Sequence, residues 1–196
     1  MGTYGSLLRV RADNVEWIRT NPREFAFDFL HYERPKPPTG GILGWLKRLS
    51  PISITVASES EPAPPTSGRS PVETLDLEKS WHGLHFLFTG KADGGLQPRA
   101  FMQEGGEDIG EDSSGDPVAR LFSPPQAKNI DAFLAALTPE SLAKRYDPAR
   151  MTELEIYGGA WEQDDEFDHL LESFEDVRAF VRTAVEAGDW VAMHVG

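Results

Sequence analysis

The chain has 196 residues, of which 39% are hydrophobic and 26% charged, and its formal net charge is −13. This length can bury the core of one ordinary domain, so a single domain is predicted. The absence of cysteine excludes disulfides, thiol nucleophiles, iron–sulfur ligation and thiolate zinc sites.

The charge is distributed unevenly along the chain. Residues 1–58 carry 8 Lys/Arg and 5 Asp/Glu, whereas residues 59–196 carry 11 and 27. An acidic surface repels phosphate groups, so we expect neither nucleic acid nor an anionic membrane as a partner, while a basic protein is electrostatically compatible.

No window has the roughly 18 uncharged apolar residues of a membrane span, and the apolar run near the N-terminus is too short for a signal peptide. These features predict a cytoplasmic protein.

The N-terminal part of the chain predicts one strand followed by two helices. Residues 6–12, SLLRVRA, alternate loosely and favour a strand, and a helix is predicted over residues 13–19. A second helix begins with Asn21 as the cap and Pro22 as the first helical residue, and it ends near Arg34. A loop and a short helix carrying Trp45 follow.

Residues 50–71 are rich in Pro, Ser and Glu and contain almost no large apolar side chain after Val56. Such a segment cannot bury enough surface to offset its conformational entropy. We therefore predict a flexible insertion near residues 57–71 within one domain that spans residues 1–196.

The centre of the chain predicts a helix from an Asp76 cap to Thr89, ended by Gly90. Apolar or aromatic side chains at positions 77, 81, 84, 85, 87 and 88 fit the helical period. Strands are predicted at RAFMQ, residues 99–103, and at VARLF, residues 118–122.

The C-terminal part predicts three helices and a closing strand. Ser123 and Thr138 cap helices that extend to about residues 137 and 145, and the YDPARM stretch that follows is predicted as a loop. A long amphipathic helix covers residues 164–187, and DWVAMHV forms the last strand. The pattern predicts an α+β fold with a small, mostly antiparallel sheet, packed by the helices at residues 76–89, 124–136 and 164–187.

The stretch EKSWHGLHFLFTG offers the first candidate site. Glu78, His82 and His85 are spaced four and three apart, so a helix would place them within about one third of its circumference. Such side chains can bind zinc or iron, or act as acid and base. The alternative, which we favour, is that His85 is a packed core residue with hydrogen-bonded nitrogens and that His82 is exposed.

An acidic tract offers the second candidate. Ten Asp/Glu and no Lys/Arg lie between Met151 and Val177, and no calcium-loop motif is present. One interpretation is a solvated helix start, where the helix dipole favours negative charge. The other is a surface for a basic partner. The residues predicted for that surface are Glu162, Asp164, Asp165 and Asp168.

The acidic loop EDIGEDSSGDP, residues 107–117, is a third candidate, able to bind a cation or an anion, although an ordinary surface loop is the favoured interpretation. The sequence contains no dinucleotide fingerprint, no P-loop and no G-x-S-x-G elbow. No cofactor and no metal are therefore expected.

Several segments together resemble a known family. Its most specific features here are W-x-x-L-H-x-x-x-T-G, which begins at Trp81, and D-P-x-x-M-x-x-x-x-I-Y, which begins at Asp147. With the MGTYG start and the long C-terminal helix, these motifs resemble the YfbM-like family of bacterial domains of unknown function. A middle motif, S-G-D-P-V-A-R ending at Arg120, departs from the family pattern. The resemblance implies a compact bacterial α+β domain and supplies no catalytic residues.

Two hypotheses about function follow from these observations. The first is a non-catalytic binding protein that meets a basic partner through the acidic surface near residues 153–176. The alternative is a hydrolase, either metal-assisted or metal-free, that uses Glu78, His82 and His85.

Overall fold

The computed structural model describes residues 4–30, 73–112, 114–163 and 165–196. Its centre is a five-stranded sheet in the order β2-β1-β5-β4-β3, with every neighbouring pair antiparallel. The strands are β1 (Gly5–Val10), β2 (Glu73–Glu78), β3 (Glu107–Ile109), β4 (Ala119–Phe122) and β5 (Trp190–Val195). The prediction of a small antiparallel sheet is confirmed.

Seven helices accompany this sheet in the described ranges. They are α1 (Ala12–Thr20), α2 (Pro22–Phe29), α3 (Ser80–Thr89), α4 (Pro124–Ala135), α5 (Pro139–Ala143), α6 (Pro148–Glu153) and α7 (Glu166–Ala187). The α+β fold class is therefore confirmed. None of the described helices combines the length and apolar character needed to cross a membrane.

Both faces of the sheet are covered. Leu7 of β1 points into a core formed with α3, α4 and α7, whereas Leu8 points into a second core formed with α1 and α2. Successive side chains of a strand alternate between faces, so one strand serves both cores. Packing of the sheet by α3, α4 and α7 agrees with the prediction; the covering of its other face by α1 and α2 was not foreseen.

The predicted helix from Asp76 to Thr89 is wrong in its first part. Residues 73–78 form β2 and pair with β1, and the helix begins only at Ser80. The change of direction occurs at Glu78, which has a left-handed φ of 45° next to a bulge in β2, where Leu77 lies between the partners of Gly5 and Ser6. Asp76 Oδ1 accepts a hydrogen bond of 2.8 Å from Glu78 N–H, so Asp76 supports this turn and does not cap the helix.

Three other local predictions are wrong. Residues 99–103 form turns, and their Phe101 and Met102 side chains are buried in the first core without strand pairing. Residues 107–109, predicted as part of a loop, pair with β4 as β3. The YDPARM stretch, also predicted as a loop, contains α6, which Asp147 caps by accepting a 3.0 Å hydrogen bond from Arg150 N–H.

Other local signals are confirmed. Thr138 Oγ1 accepts a 3.2 Å hydrogen bond from Ser141 N–H at the start of α5. Gly90 and Gly188 end α3 and α7 in the left-handed region, with φ of 74° and 70°. α2 ends at Phe29 with Leu30 as its C-cap, so the predicted helix end near Arg34 is wrong. The short helix with Trp45 and the insertion at residues 57–71 lie outside the described residues.

Candidate functional site

A groove of about 460 Å³ lies between the end of β2 and the first half of α7. Five carboxylates line it, and we call it the acidic groove. They are Asp76, Glu78, Glu166, Glu172 and Asp176. Lys79 and His169 are the basic side chains in its lining. Negative charge therefore predominates in a concave surface.

The α7 wall of the groove follows from helical geometry. Glu166, His169, Ser173 and Asp176 recur at three- and four-residue steps and therefore share one face of the helix. Ser173 Oγ donates a 3.0 Å hydrogen bond to Ser80 Oγ at the start of α3, which holds the two walls together.

The segment between α6 and α7 completes the groove with Gly158 and Trp161. Gly158 has φ of 109°, and a Cβ added there would lie 2.8 Å from the Lys79 carbonyl oxygen, so the two backbones can approach only because residue 158 is glycine. The Tyr146 hydroxyl donates a 2.5 Å hydrogen bond to the Trp161 carbonyl oxygen. Burial raises the pKa of Tyr146, and the charge of Glu166 acts in the same direction.

None of the described residues predicted for the acidic surface lines this groove, which receives Glu166, Glu172 and Asp176 from the same acidic stretch instead. Glu162, Asp165 and Asp168 are exposed near the start of α7 but do not line the groove, and Asp164 lies outside the described residues. The helical spacing of Glu166 and Asp176 was available in the sequence. The contribution of Asp76 and Glu78 was not, because it depends on the pairing of β2 with β1.

His82 is buried, contrary to the prediction that it is exposed. Only 8% of the residue is exposed, and the imidazole ring stacks on the Trp81 ring with centroids 4.7 Å apart. Tyr157 N–H donates to His82 Nδ1 at 2.9 Å, and His82 Nε2 lies 2.8 Å from the Ala92 carbonyl oxygen. Both ring nitrogens are therefore occupied by backbone groups.

His85 is fully buried, at 0% exposure, as the core interpretation predicted. Neither of its ring nitrogens has a hydrogen-bond partner among the described residues, so the expected hydrogen bonds are absent there. Burial lowers the pKa of His85 to about 4, and the charge of His82 acts in the same direction. The backbone of Gly94 and the charge of Asp93 oppose this shift without reversing it.

The structure separates Glu78 from the helix that carries the two histidines. Glu78 ends β2 and lines the acidic groove, whereas His82 and His85 lie within α3 with ring centroids 6.4 Å apart. The helical spacing used to place the three side chains on one face therefore does not apply to Glu78.

The third candidate, residues 107–117, borders a second cavity of about 510 Å³. Asp112 Oδ1 accepts hydrogen bonds from Ser114 N–H and Asp116 N–H, at 2.7 and 3.1 Å, and so shapes its own loop. Across the residues that the structure describes, no three His, Asp or Glu side chains are grouped so that they could hold a metal ion.

Comparisons with known proteins place the chain in a family. No curated protein matches it. The crystal structure of YfbM from Escherichia coli, a protein of unknown function, is similar with a TM-score of 0.64 and 16% identity, covering 98% of this chain and 99% of that one. Such a low identity supports a shared fold only, and the predicted YfbM-like resemblance is confirmed. A family model described as a domain of unknown function, DUF1877, matches residues 1–194, and the chain therefore belongs to the DUF1877 family.

Proposed function

We propose that this chain is a non-catalytic cytoplasmic binding protein whose acidic groove receives a basic segment of a partner protein. The observation that carries the proposal is the set of five groove carboxylates described above, none of which forms an ion pair with another described residue. Unpaired carboxylates in a concave surface focus a negative potential, which attracts a cationic ligand.

The distribution of ion pairs elsewhere supports this proposal. Arg9, Arg19 and Arg182 pair with carboxylates on other elements of the fold. The groove carboxylates have no such partner in the described ranges, although Lys79 lies in the same lining. The Lys79 ammonium lies 5.9 Å from the centre of the Tyr157 ring, a separation suited to a cation–π contact.

The exposed carboxylates beside the groove extend the proposed surface. Glu162, Asp165 and Asp168 lie near the start of α7, and Asp164 belongs to the same acidic run of the sequence. Charges at the rim of an interface mainly accelerate encounter, whereas charges in a concavity contribute more to the affinity of the complex. We therefore propose the groove as the contact and the exposed Glu162, Asp165 and Asp168 as a steering surface, to whose sequence run Asp164 adds a further negative charge.

The alternative of a hydrolase at Glu78, His82 and His85 has less support. A general base needs a ring nitrogen within reach of the substrate. His82 uses both nitrogens for backbone hydrogen bonds, and His85 is fully buried.

The test uses a fluorescent nine-residue peptide of alternating Lys and Arg, with binding followed by anisotropy. The groove variant combines Glu166→Gln, Glu172→Gln and Asp176→Asn. The matched control combines Glu24→Gln, Glu111→Gln and Glu186→Gln, which removes the same charge at exposed positions outside the acidic groove.

We expect the groove variant to bind about tenfold more weakly and the control to bind within about twofold of the parent, because three carboxylate–cation contacts contribute about 0.5 kcal/mol each. Equal losses in both variants would indicate general attraction to an acidic protein and would contradict the proposal. Circular dichroism of each variant checks that the fold is retained.

A further inference from the structure

His82 connects two segments of the chain that are distant in sequence. Its Nδ1 accepts from Tyr157 N–H, so the proton of the neutral ring is on Nε2, which donates to the Ala92 carbonyl oxygen. Gln103 Nε2 also donates to the Ala92 carbonyl oxygen, at 2.9 Å. The assignment of this tautomer follows from the two backbone partners.

The Tyr157 segment forms one wall of the acidic groove. Tyr157 directly precedes Gly158, which lines the groove and packs against the backbone of Lys79. Trp161, another lining residue, donates its indole N–H to the Ile156 carbonyl oxygen at 2.9 Å. The hydrogen bond from Tyr157 to His82 therefore fixes the backbone between Ile156, which is held by Trp161, and the groove residue Gly158.

We propose that His82 is a positioning residue for the acidic groove, and that protonation of its ring releases the Tyr157 segment and weakens the binding of basic peptides. This inference rests on the proposed function. The imidazolium ring carries N–H groups on both nitrogens, so Nδ1 can no longer accept from Tyr157. The backbone amide then loses this acceptor, and of the contacts between the groove wall and α3 the packing of Trp161 against Gly83 remains.

The surroundings of His82 fix the orientation of its ring. The ring stacks on Trp81 at an interplanar angle of 7°, which restricts its reorientation. The titratable neighbours are His85 on the same helix, Asp93 beside Ala92, and Tyr157 with Lys79 over its ring. Because burial lowers the pKa of His85 to about 4, that ring stays neutral over the pH range of the experiments below.

The groove contains a second histidine that must be separated from His82. His169 lines the acidic groove and is exposed, so its own protonation would repel a basic peptide. All binding measurements are therefore made in the His169→Gln background. His82→Gln serves as the test variant because glutamine offers an acceptor oxygen and a donor nitrogen but does not titrate.

The first experiment measures hydrogen exchange at the Tyr157 amide by NMR, corrected for intrinsic rates, from pH 8 to pH 5.5. We expect its protection in the parent to fall about tenfold, the effect of one lost hydrogen bond, and to be independent of pH in His82→Gln. Constant protection in the parent, or the same decrease in the variant, would overturn the inference. If His82→Gln does not fold, ¹⁵N shifts of the parent His82 ring decide whether its titration coincides with that of the Tyr157 amide.

The second experiment measures binding of the Lys/Arg peptide over the same pH range. In the His169→Gln background, the affinity for the peptide should fall about tenfold between pH 8 and pH 5.5, because the groove wall is released. When His82→Gln is added, the affinity should stay constant over this range. Equal pH dependence with and without His82→Gln would overturn the link between the ring and the groove. Absence of binding at pH 8 would overturn both the proposed function and the effect of His82 on peptide binding. In that case the hydrogen-exchange experiment would still decide whether His82 holds the Tyr157 segment.

Discussion

At the scale of single residues, the two histidines of α3 differ in the hydrogen bonding of their ring nitrogens. His82 satisfies both ring nitrogens with backbone groups, whereas His85 has no described partner for either nitrogen. A buried imidazole in this situation favours the neutral form, because burial disfavours the cation more than the charge of Asp93 favours it. Protonation of His85 is therefore coupled to unfolding.

The pH dependence of stability should report His85. Its pKa is about 4 in the folded chain and near the ordinary value of 6.5 when unfolded. Its stabilising effect is thus complete above pH 6.5 and is lost as the pH falls toward 4. We expect a loss of about 2 kcal/mol between pH 7.5 and pH 5 from this group.

Urea unfolding at these two pH values measures that loss. The matched variant is His85→Phe, which retains an aromatic ring but does not titrate. Its stability should decrease by about 2 kcal/mol less than that of the parent over the same interval. An identical decrease in both proteins would show that other groups cause the acid sensitivity.

At the scale of elements, α7 combines a buried stripe with an acidic face. Phe174, Val177 and Val181 pack in the core, while Glu172 and Asp176 face the groove. Like charges four residues apart on a helix repel each other. The helix therefore carries a local conflict that a bound cation would relieve.

Neutralising this pair should stabilise the free protein slightly. We expect Glu172→Gln with Asp176→Asn to raise the free energy of unfolding by about 0.3–0.5 kcal/mol at low salt, and by less at 1 M NaCl. Thermal unfolding at both salt concentrations measures the change. As a control, Asp168→Asn should lower the free energy of unfolding, because Asp168 lies in the first turn of α7, where the helix dipole favours negative charge. A destabilised double variant would contradict the proposed repulsion.

At the scale of the whole molecule, β1 and β5 at the centre of the sheet contribute side chains to both cores. Leu7 and Met193 belong to one core, and Leu8 and Ala192 to the other. Because the same strands line both cores, loss of either core should disrupt the pairing of the sheet. The two layers of helices are therefore expected to unfold together.

Truncation on either face tests this coupling. Leu7→Ala and Leu8→Ala should each lower the free energy of unfolding by about 2–5 kcal/mol, because both side chains are fully buried. Urea unfolding followed by tryptophan fluorescence and by far-ultraviolet circular dichroism should give one coincident transition in each variant. Separate transitions for the two probes would show that the cores unfold independently.

Local sequence signals predicted most of the helices, with the exception of α6, but only part of the sheet. The amphipathic period of residues 166–187 and the glycine at 188 define α7, because helical hydrogen bonds connect residues close in sequence. Residues 73–78 lacked such a signal, since their strand conformation comes from pairing with β1, about 70 residues away. The same reason explains the missed β3, which is only three residues long.

The sequence by itself determined the α+β class, the long C-terminal helix, the burial of His85 and the acidic character of the region before and within α7. These properties follow from composition and from periodicities of a few residues. Only the tertiary structure decided that Asp76 and Glu78 share a groove with Glu166 and Asp176, and that His82 holds the Tyr157 backbone. Those contacts join residues about 75 to 100 positions apart, and distances of that kind are set by how the sheet pairs and how α3 and α7 pack on it.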